Sequence, residues 1–257
     1  MLNFRNTNIF FILLFAVLVS IHILIAPVWV LYYLLIAAYS LILFWGCITV
    51  SSNFFLPIVC KAVTDKKEIA ISFDDGPAAN YSSAILDLLN KENVPAIFFC
   101  IGNRISGNEN ILKRMHSEGH LIGNHSFSHH TLFDLYSANK MQQDMQMMDA
   151  EMERVIGIKP KLFRPPYGVT NPNVKKAIIK GGYTAVGWSV RSLDTVAKDE
   201  QKLLSKINAG INPGAVFLFH DTCKITLNVL PEFIKEVKKR GYNISPLDKL
   251  LALEAYE

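Results

Sequence analysis

The chain has 257 residues, 51% of them hydrophobic, with 26 Lys and Arg against 22 Asp and Glu and a formal charge of +4. The cations are scattered or lie on helix-like faces such as KKAIIK and KEVKKR, which are solvated faces, so no nucleic-acid surface is expected. The four cysteines fit no ligand spacing, and for Cys100 and Cys223 a buried thiol pair near a barrel rim is expected over a disulfide.

The hydrophobic excess is concentrated near the N-terminus. Residues 9–50 contain no Asp, Glu, Lys or Arg, and only His22 titrates near neutrality. That run is about twice the ~20 residues that cross a hydrocarbon core. Pro27 stands near its middle. Two spanning helices, about 9–25 and 28–48, are therefore expected, with one longer helix plus an interfacial stretch as the alternative. A cleaved signal peptide fits less well, because the apolar run is too long for one. Residues 1–63 are read as a membrane anchor with a linker, and residues 64–257 as one domain large enough for a real core.

In that domain, β-rich runs alternate with helical periods. Strands are expected at 68–73, 95–101, 120–123, 162–164, 183–188, 215–219 and 242–244. Helices are expected at 82–91, 110–118, 139–156, 173–180, 200–209 and 227–240. Met141, Met145, Met148 and Met152 recur at helical spacing and read as core. Strands separated by helices imply a parallel α/β sheet with covered faces, and seven strand candidates suit an incomplete barrel.

The polar residues fall at the C-terminal ends of these strands, the rim that carries chemistry in barrels. Asp74 and Asp75 end the first strand, where neighbouring side chains diverge and can serve two purposes. His125 and His129 are spaced i,i+4; if the segment turns helically, both imidazoles chelate one ion, with Asp75 as the carboxylate. His130 reads as an exposed neighbour, and His116 and His120 as structural or exposed. Arg164 opens RPPYG and is placed to hold Asp74 by a bidentate pair. Tyr167 has the first non-proline N–H after it and can face a developing oxyanion. His220 suits proton donation to a leaving group, with Asp194 orienting its imidazole. Leu218 is expected to line an apolar recess. Trp188 is either a sugar-stacking wall or core filler, and Arg191 either pairs locally or meets substrate.

These segments, SFDDGP at 72–77, HSFSH at 125–129, RPPYG at 164–168, WSVRSLDT at 188–195 and LFHD at 218–221, resemble the five motifs of the polysaccharide deacetylase family, the NodB-homology domains of carbohydrate esterase family 4. The resemblance implies a distorted (β/α)7 barrel that hydrolyses N-acetyl groups on a peptidoglycan, chitin-like or exopolysaccharide glycan. It implies Asp74 as general base, Asp75, His125 and His129 as ligands to a divalent metal, usually Zn2+, and Arg164 as tether of the base. Tyr167 supplies the oxyanion N–H, His220 is the general acid with Asp194 behind it, and Leu218, Trp188 and Pro166 bind substrate. Thr195 departs from the family pattern, which places an aromatic residue there, so the groove wall is an open question. De-O-acetylation of a polysaccharide such as xylan and an inactive glycan-binding module are the rival readings. The expected partners are an N-acetylated glycan and the lipid bilayer, with no nucleic acid and no protein. Lys61, Lys66 and Lys67 against Arg5 favour a cytoplasmic domain, whereas a polymer substrate outside the cell favours the extracytoplasmic side, which is the expectation taken.

Overall fold

The computed structural model describes residues 2–257. It opens with a helical hairpin, α1 (Phe4–Leu24) and α2 (Trp29–Ile48), whose side chains are largely exposed and whose mean hydropathies are 2.4 and 2.0. Each is long and apolar enough to cross a membrane. The turn between them holds Pro27, whose missing N–H and fixed φ end helices. α1 begins five residues before the expected start because the Asn3 side chain caps it, accepting the Asn6 N–H at 2.9 Å.

The hairpin is rooted in the rest of the protein. Phe54, Phe55, Leu56 and Ile58 are buried in one cluster with Phe163, Val174, Ile178 and Tyr183. Val59 bridges Val186, and the Thr170 N–H donates to the Cys47 carbonyl at the end of α2, at 2.9 Å.

The remaining elements are β1 (Glu68–Asp74), α3 (Ser82–Glu92), β2 (Ile97–Cys100), α4 (Glu109–Ser117), β3 (Leu121–Asn124), α5 (Ala138–Ile156), β4 (Leu162–Phe163), α6 (Pro172–Gly181), β5 (Thr184–Ala185), β6 (Val190–Arg191), α7 (Glu200–Ala209), β7 (Val216–His220), α8 (Lys224–Lys239), β8 (Asn243–Ile244) and α9 (Leu247–Leu251). All the strand pairings are parallel, in the order β5-β4-β3-β2-β1-β7-β6, and β8 joins β1 at its first residues. The sheet is a curled half-barrel of the distorted (β/α)7 type expected. Two short elements were missed, β6 and α9. The expected strand at 183–188 is cut to Thr184–Ala185, since Val186 turns instead to its bridge with Val59.

Alternation along β1 sets up the site. Ile69, Ile71 and Phe73 pack in the main core with Phe98, Phe217, Phe219 and Phe233, while Ala70 belongs to a second cluster with Phe99 and Val216. Ser72 and Asp74 share the parity of Ala70 and face the same way. All four methionines of the α5 stripe are buried, as expected. The four cysteines are free; Cys100 is buried beside Met115, but Cys223 is only half-buried, so the expected buried pair is not formed.

Candidate active site

Asp74, at the end of β1, is 3% exposed, and its Oδ1 accepts from Arg164 Nη1 at 2.7 Å. Arg164 is fully buried and divides its donors: Nη1 also reaches Ser72 Oγ (2.9 Å), Nη2 the Gly187 carbonyl (2.8 Å) and Nε the Val186 carbonyl (3.2 Å). The expected bidentate pair is thus not made, because the carbonyls after β5 take the rest of the fork. Four hydrogen bonds, to Asp74, Ser72, Gly187 and Val186, hold the guanidinium, which is what lets this charge stay buried.

Asp75 follows with φ 75°, and both carboxylates come near His125 Nε2, Asp74 Oδ2 at 3.8 Å and Asp75 Oδ1 at 3.6 Å. His125, just past β3, places Nδ1 2.7 Å from the Arg164 carbonyl; donation there leaves Nε2 bare as a ligand. His129 reaches the same point by a loop, not by the helical turn expected. Asn124 Oδ1 accepts the Ser126 N–H, Asp144 Oδ1 accepts those of Phe127 and Ser128, and Ser126 Oγ accepts that of His129. These bonds hold Ser126 and His129 at φ 68° and 43°. The outcome is the same juxtaposition: Asp75 Oδ1 lies 3.6 Å from His125 Nε2 and 3.4 Å from His129 Nε2.

One ligand atom from each of Asp75, His125 and His129 lies within 4.8 Å of the others. Burial, reinforced by the neighbouring His125, lowers the pKa of His129 to about 4, which keeps its imidazole neutral as a ligand must be. Two imidazoles and one carboxylate on one face, with a cavity on the other, fit a divalent metal with open positions.

Across the cavity, His220 ends β7 directly beside Asp74 in the β1–β7 register. Its Nδ1 is 2.7 Å from Asp194 Oδ1, and its backbone N–H donates to Asp194 Oδ2 at 2.7 Å. Thr226 Oγ1 donates to the same oxygen at 2.6 Å. Burial disfavours the imidazolium, but the hydrogen bond and charge of Asp194 outweigh it and His220 is raised above the usual histidine value. Asp194 is correspondingly lowered: burial acts against this, and the bonds and charge of His220 overcome it.

A cavity of about 190 Å³ joins these groups. Asp74, Asp75, His125, His129, Tyr167, Trp188, Leu218 and His220 line it, as do Gly168, Arg191 and Thr195. Arg164 and Asp194 stand behind the lining. Pro166 is buried and does not line the cavity. Tyr167 sits at φ 59°, its ring 4.7 Å from that of His129. Among the described residues, eight that are not glycine have positive φ, and Asp75, His129 and Tyr167 line this cavity. Backbone strain of this kind concentrates where surrounding structure over-determines it, at sites.

Several residues escaped the sequence reading. Asp144, which braces the histidine loop, and Asp149, which accepts from Asn124 and Tyr183, are buried acids on α5. The signal was present, since Asp144 falls three residues after Met141 on the apolar stripe. Thr226 and Ser72 carried none. Asp221, noted but given no role, accepts from Ser82, and burial raises its pKa to about 7.

A two-histidine, one-carboxylate site at the strand ends of a parallel half-barrel, flanked by an Asp–Arg and a His–Asp pair, defines the class: an α/β protein with a candidate divalent-metal site at its rim. The chain belongs to the polysaccharide deacetylase family, whose profile matches residues 61–186. It is 34% identical over 199 residues to the peptidoglycan-N-acetylglucosamine deacetylase PgdA of Listeria monocytogenes, covering 77% of this chain and 42% of that relative. It therefore spans less than half the length of that protein. To the peptidoglycan-N-acetylmuramic acid deacetylase PdaA of Bacillus subtilis it is 32% identical over 192 residues, 73% of each chain. The structure resembles that of the Bc1960 peptidoglycan N-acetylglucosamine deacetylase with a TM-score of 0.73 at 28% identity, covering 78% of this chain and 95% of the other.

Proposed function

We propose that the protein is a membrane-anchored, metal-dependent deacetylase that removes N-acetyl groups from N-acetylglucosamine units of a glycan, with peptidoglycan the first candidate. The observation that carries this is the meeting, in one cavity, of the Asp75–His125–His129 face, the Asp74–Arg164 pair and the His220–Asp194 pair. Relatives with named peptidoglycan substrates support the choice of polymer.

A divalent ion held by Asp75, His125 and His129, zinc by the donor set, would lower the pKa of a water and polarise the acetyl carbonyl. Asp74, held by Arg164 at 2.7 Å, accepts the proton of the attacking water. The Tyr167 N–H donates to the carbonyl oxygen as it becomes anionic. His220, whose raised pKa favours the imidazolium, gives its proton to the departing sugar nitrogen, so amide and water become amine and acetate. Leu218 packs against the acetyl methyl, and Trp188 forms a wall for the sugar. The anchor is assigned to residues 1–63 and the catalytic part to 64–257, with the buried 54–58 segment joining the two. The hairpin spans the bilayer and the catalytic part lies outside the cytoplasm.

The test is acetate and free-amine release by the zinc-loaded full-length chain in detergent, on peptidoglycan, chitin oligomers and acetylated xylan, with Asp74→Ala as control. Release of both products from an N-acetylated glycan, abolished in the control, is expected. Acetate from xylan alone would replace the reading with an esterase, and zinc binding without hydrolysis of any polymer would refute it.

A further inference from the structure

One short turn ties together the two loops that supply the metal face. It is the turn Gly102–Arg104, just past the end of β2. β2 lies between β1 and β3, the strands whose ends carry Asp75 and His125. The backbone of the turn reaches both ways. On the β1 side the Ile101 N–H donates to the Gly76 carbonyl at 2.8 Å. On the β3 side the Gly102 and Asn103 N–H groups donate to the Ser126 and Phe127 carbonyls, each at 3.0 Å. The approach is close enough to require glycine: a Cβ at residue 102 would fall 2.5 Å from the Phe127 ring and 3.1 Å from the Met148 Cα.

Arg104 adds the one side-chain contact from this turn to the metal-ligand residues. Its Nη1 donates to the backbone carbonyl of Asp75. Asp75 stands at φ 75°, a conformation that residues other than glycine hold only where their surroundings enforce it. The carbonyls of residues 75 and 76 are therefore both gripped from one place, the first by Arg104 and the second by Ile101. Arg104 is itself fixed at its main chain, its N–H donating to the Ile101 carbonyl at 3.1 Å and its carbonyl accepting from Asn108 Nδ2 at 2.9 Å. Among the described residues its guanidinium forms no ion pair, with Asp75 or any other carboxylate. It grips the main chain of a ligand residue and leaves the ligand oxygens to the imidazoles.

We propose that Arg104 is a positioning residue for the metal face: by holding the Asp75 carbonyl it fixes the left-handed turn, and so keeps Asp75 Oδ1 at 3.6 and 3.4 Å from His125 Nε2 and His129 Nε2. The proposal rests on the reading of these three residues as a metal site, and not on the acetyl chemistry. A cation beside such a site can act in two ways, and they have opposite signs. Acting through its field it repels a dication, and its removal tightens metal binding. Acting as a pin it preorganises a ligand, and its removal loosens binding. A charge-assisted bond to a strained main chain selects the pin.

The experiment uses the full-length chain in detergent, with zinc alone as the probe and affinity read by chelator competition. Arg104→Met, which keeps the stem and removes donor and charge, should weaken zinc binding about tenfold, the low end of what partners behind metal ligands contribute. Arg104→Lys, which keeps a donor, should recover most of that loss. The metal-free proteins should melt within about 2 °C of one another, because the side chain is exposed. Zinc affinity unchanged or tightened in Arg104→Met overturns the proposal. So does a loss that Lys does not recover and that follows a drop in the metal-free melting midpoint, which would make Arg104 a merely structural residue. A parent chain that binds no zinc removes the metal site and the positioning role together. Acetate release is measured separately: its absence on every glycan, with the zinc affinities ordered as expected, would sink the deacetylase reading and leave the role of Arg104 standing.

Discussion

Asp194→Asn isolates the role of the pair behind His220. The Asp194 carboxylate is 2% exposed and accepts from His220 Nδ1, the His220 backbone N–H, Thr226 Oγ1 and the Thr195 N–H. Asparagine keeps the volume but offers only one accepting atom, so its amide must face either the imidazole or the His220 N–H and Thr226 hydroxyl. A hydrogen bond to a charged group contributes about 1.5–3 kcal/mol, so kcat/KM should fall roughly 10- to 150-fold. The pH profile is the sharper reading. In the proposed mechanism His220 acts protonated, so activity should decline as pH rises through its pKa, which Asp194 raises against the opposing effect of burial. Asp74 and Asp75, the other charges that face it, remain in the variant and raise it less. Without Asp194 the pKa drops and the alkaline limb of kcat/KM moves to lower pH. The same pair contributes to stability. The His220 share is complete below the ordinary histidine value and is lost as pH rises through its raised value; the Asp194 share is present above the ordinary carboxylate value and is lost as pH falls through its lowered one. The pair therefore stabilises most between those limits. The assay is acetate release from an N-acetylated oligomer by the zinc-loaded protein across pH, beside thermal melts. A loss of rate with the alkaline limb unmoved would refute the proton-donor argument and leave Asp194 a merely structural acid.

Other residues give separable outcomes. His129→Gln should weaken zinc binding by about 100-fold or more, beyond the 10- to 100-fold typical of outer partners, read by chelator competition. Arg164→Met strands Asp74 without its 2.7 Å partner in a buried site; at about 3–5 kcal/mol for breaking such a pair, the melting midpoint should drop by about 10 °C. Deleting residues 1–63 removes Phe54, Phe55, Leu56 and Ile58 from a core they share with Phe163 and Ile178. At about 1.5–3 kcal/mol for each side chain, that truncation should melt lower than one beginning at residue 49, and equal midpoints would refute the packing argument.

Most of the fold was legible because hydrophobic period and turn residues act locally. The strand ending in DDGP, the methionine stripe of α5 and the two apolar N-terminal helices are each written within a dozen or two residues. What escaped was decided by partners far away in the chain. β6 is two residues long, and its strand character comes from pairing with Phe217 and Leu218. The expected bidentate Arg164–Asp74 contact gave way because Gly187 and Val186 present carbonyls that no spacing in RPPYG reveals. The histidine loop shows a different limit. The i,i+4 spacing correctly brought His125 and His129 together, but a helix was the wrong means, since Asp144 and Ser126 supply the turn through their own side chains.

The same reasoning shows why motifs scattered over 147 residues, from 74 to 220, act as one unit. Asp74 sits opposite His220 on one side of β1 and opposite Phe99 on the other, and Arg191 lies opposite Leu218 on β7. In a parallel sheet, register fixes which side chains emerge together at the rim, and a slip of one residue turns each to the other face. A slip of β1 against β7 would send Asp74 toward the helices and bury Phe73 in the cavity. The core resists this, because Phe73 already stacks on Phe98, 5.0 Å between ring centres, and packs against Phe219. The aromatic packing that stabilises the sheet is thus also what sets Asp74 and His220 together in the lining of one small cavity, so the precision of the site is inherited from the core beneath it.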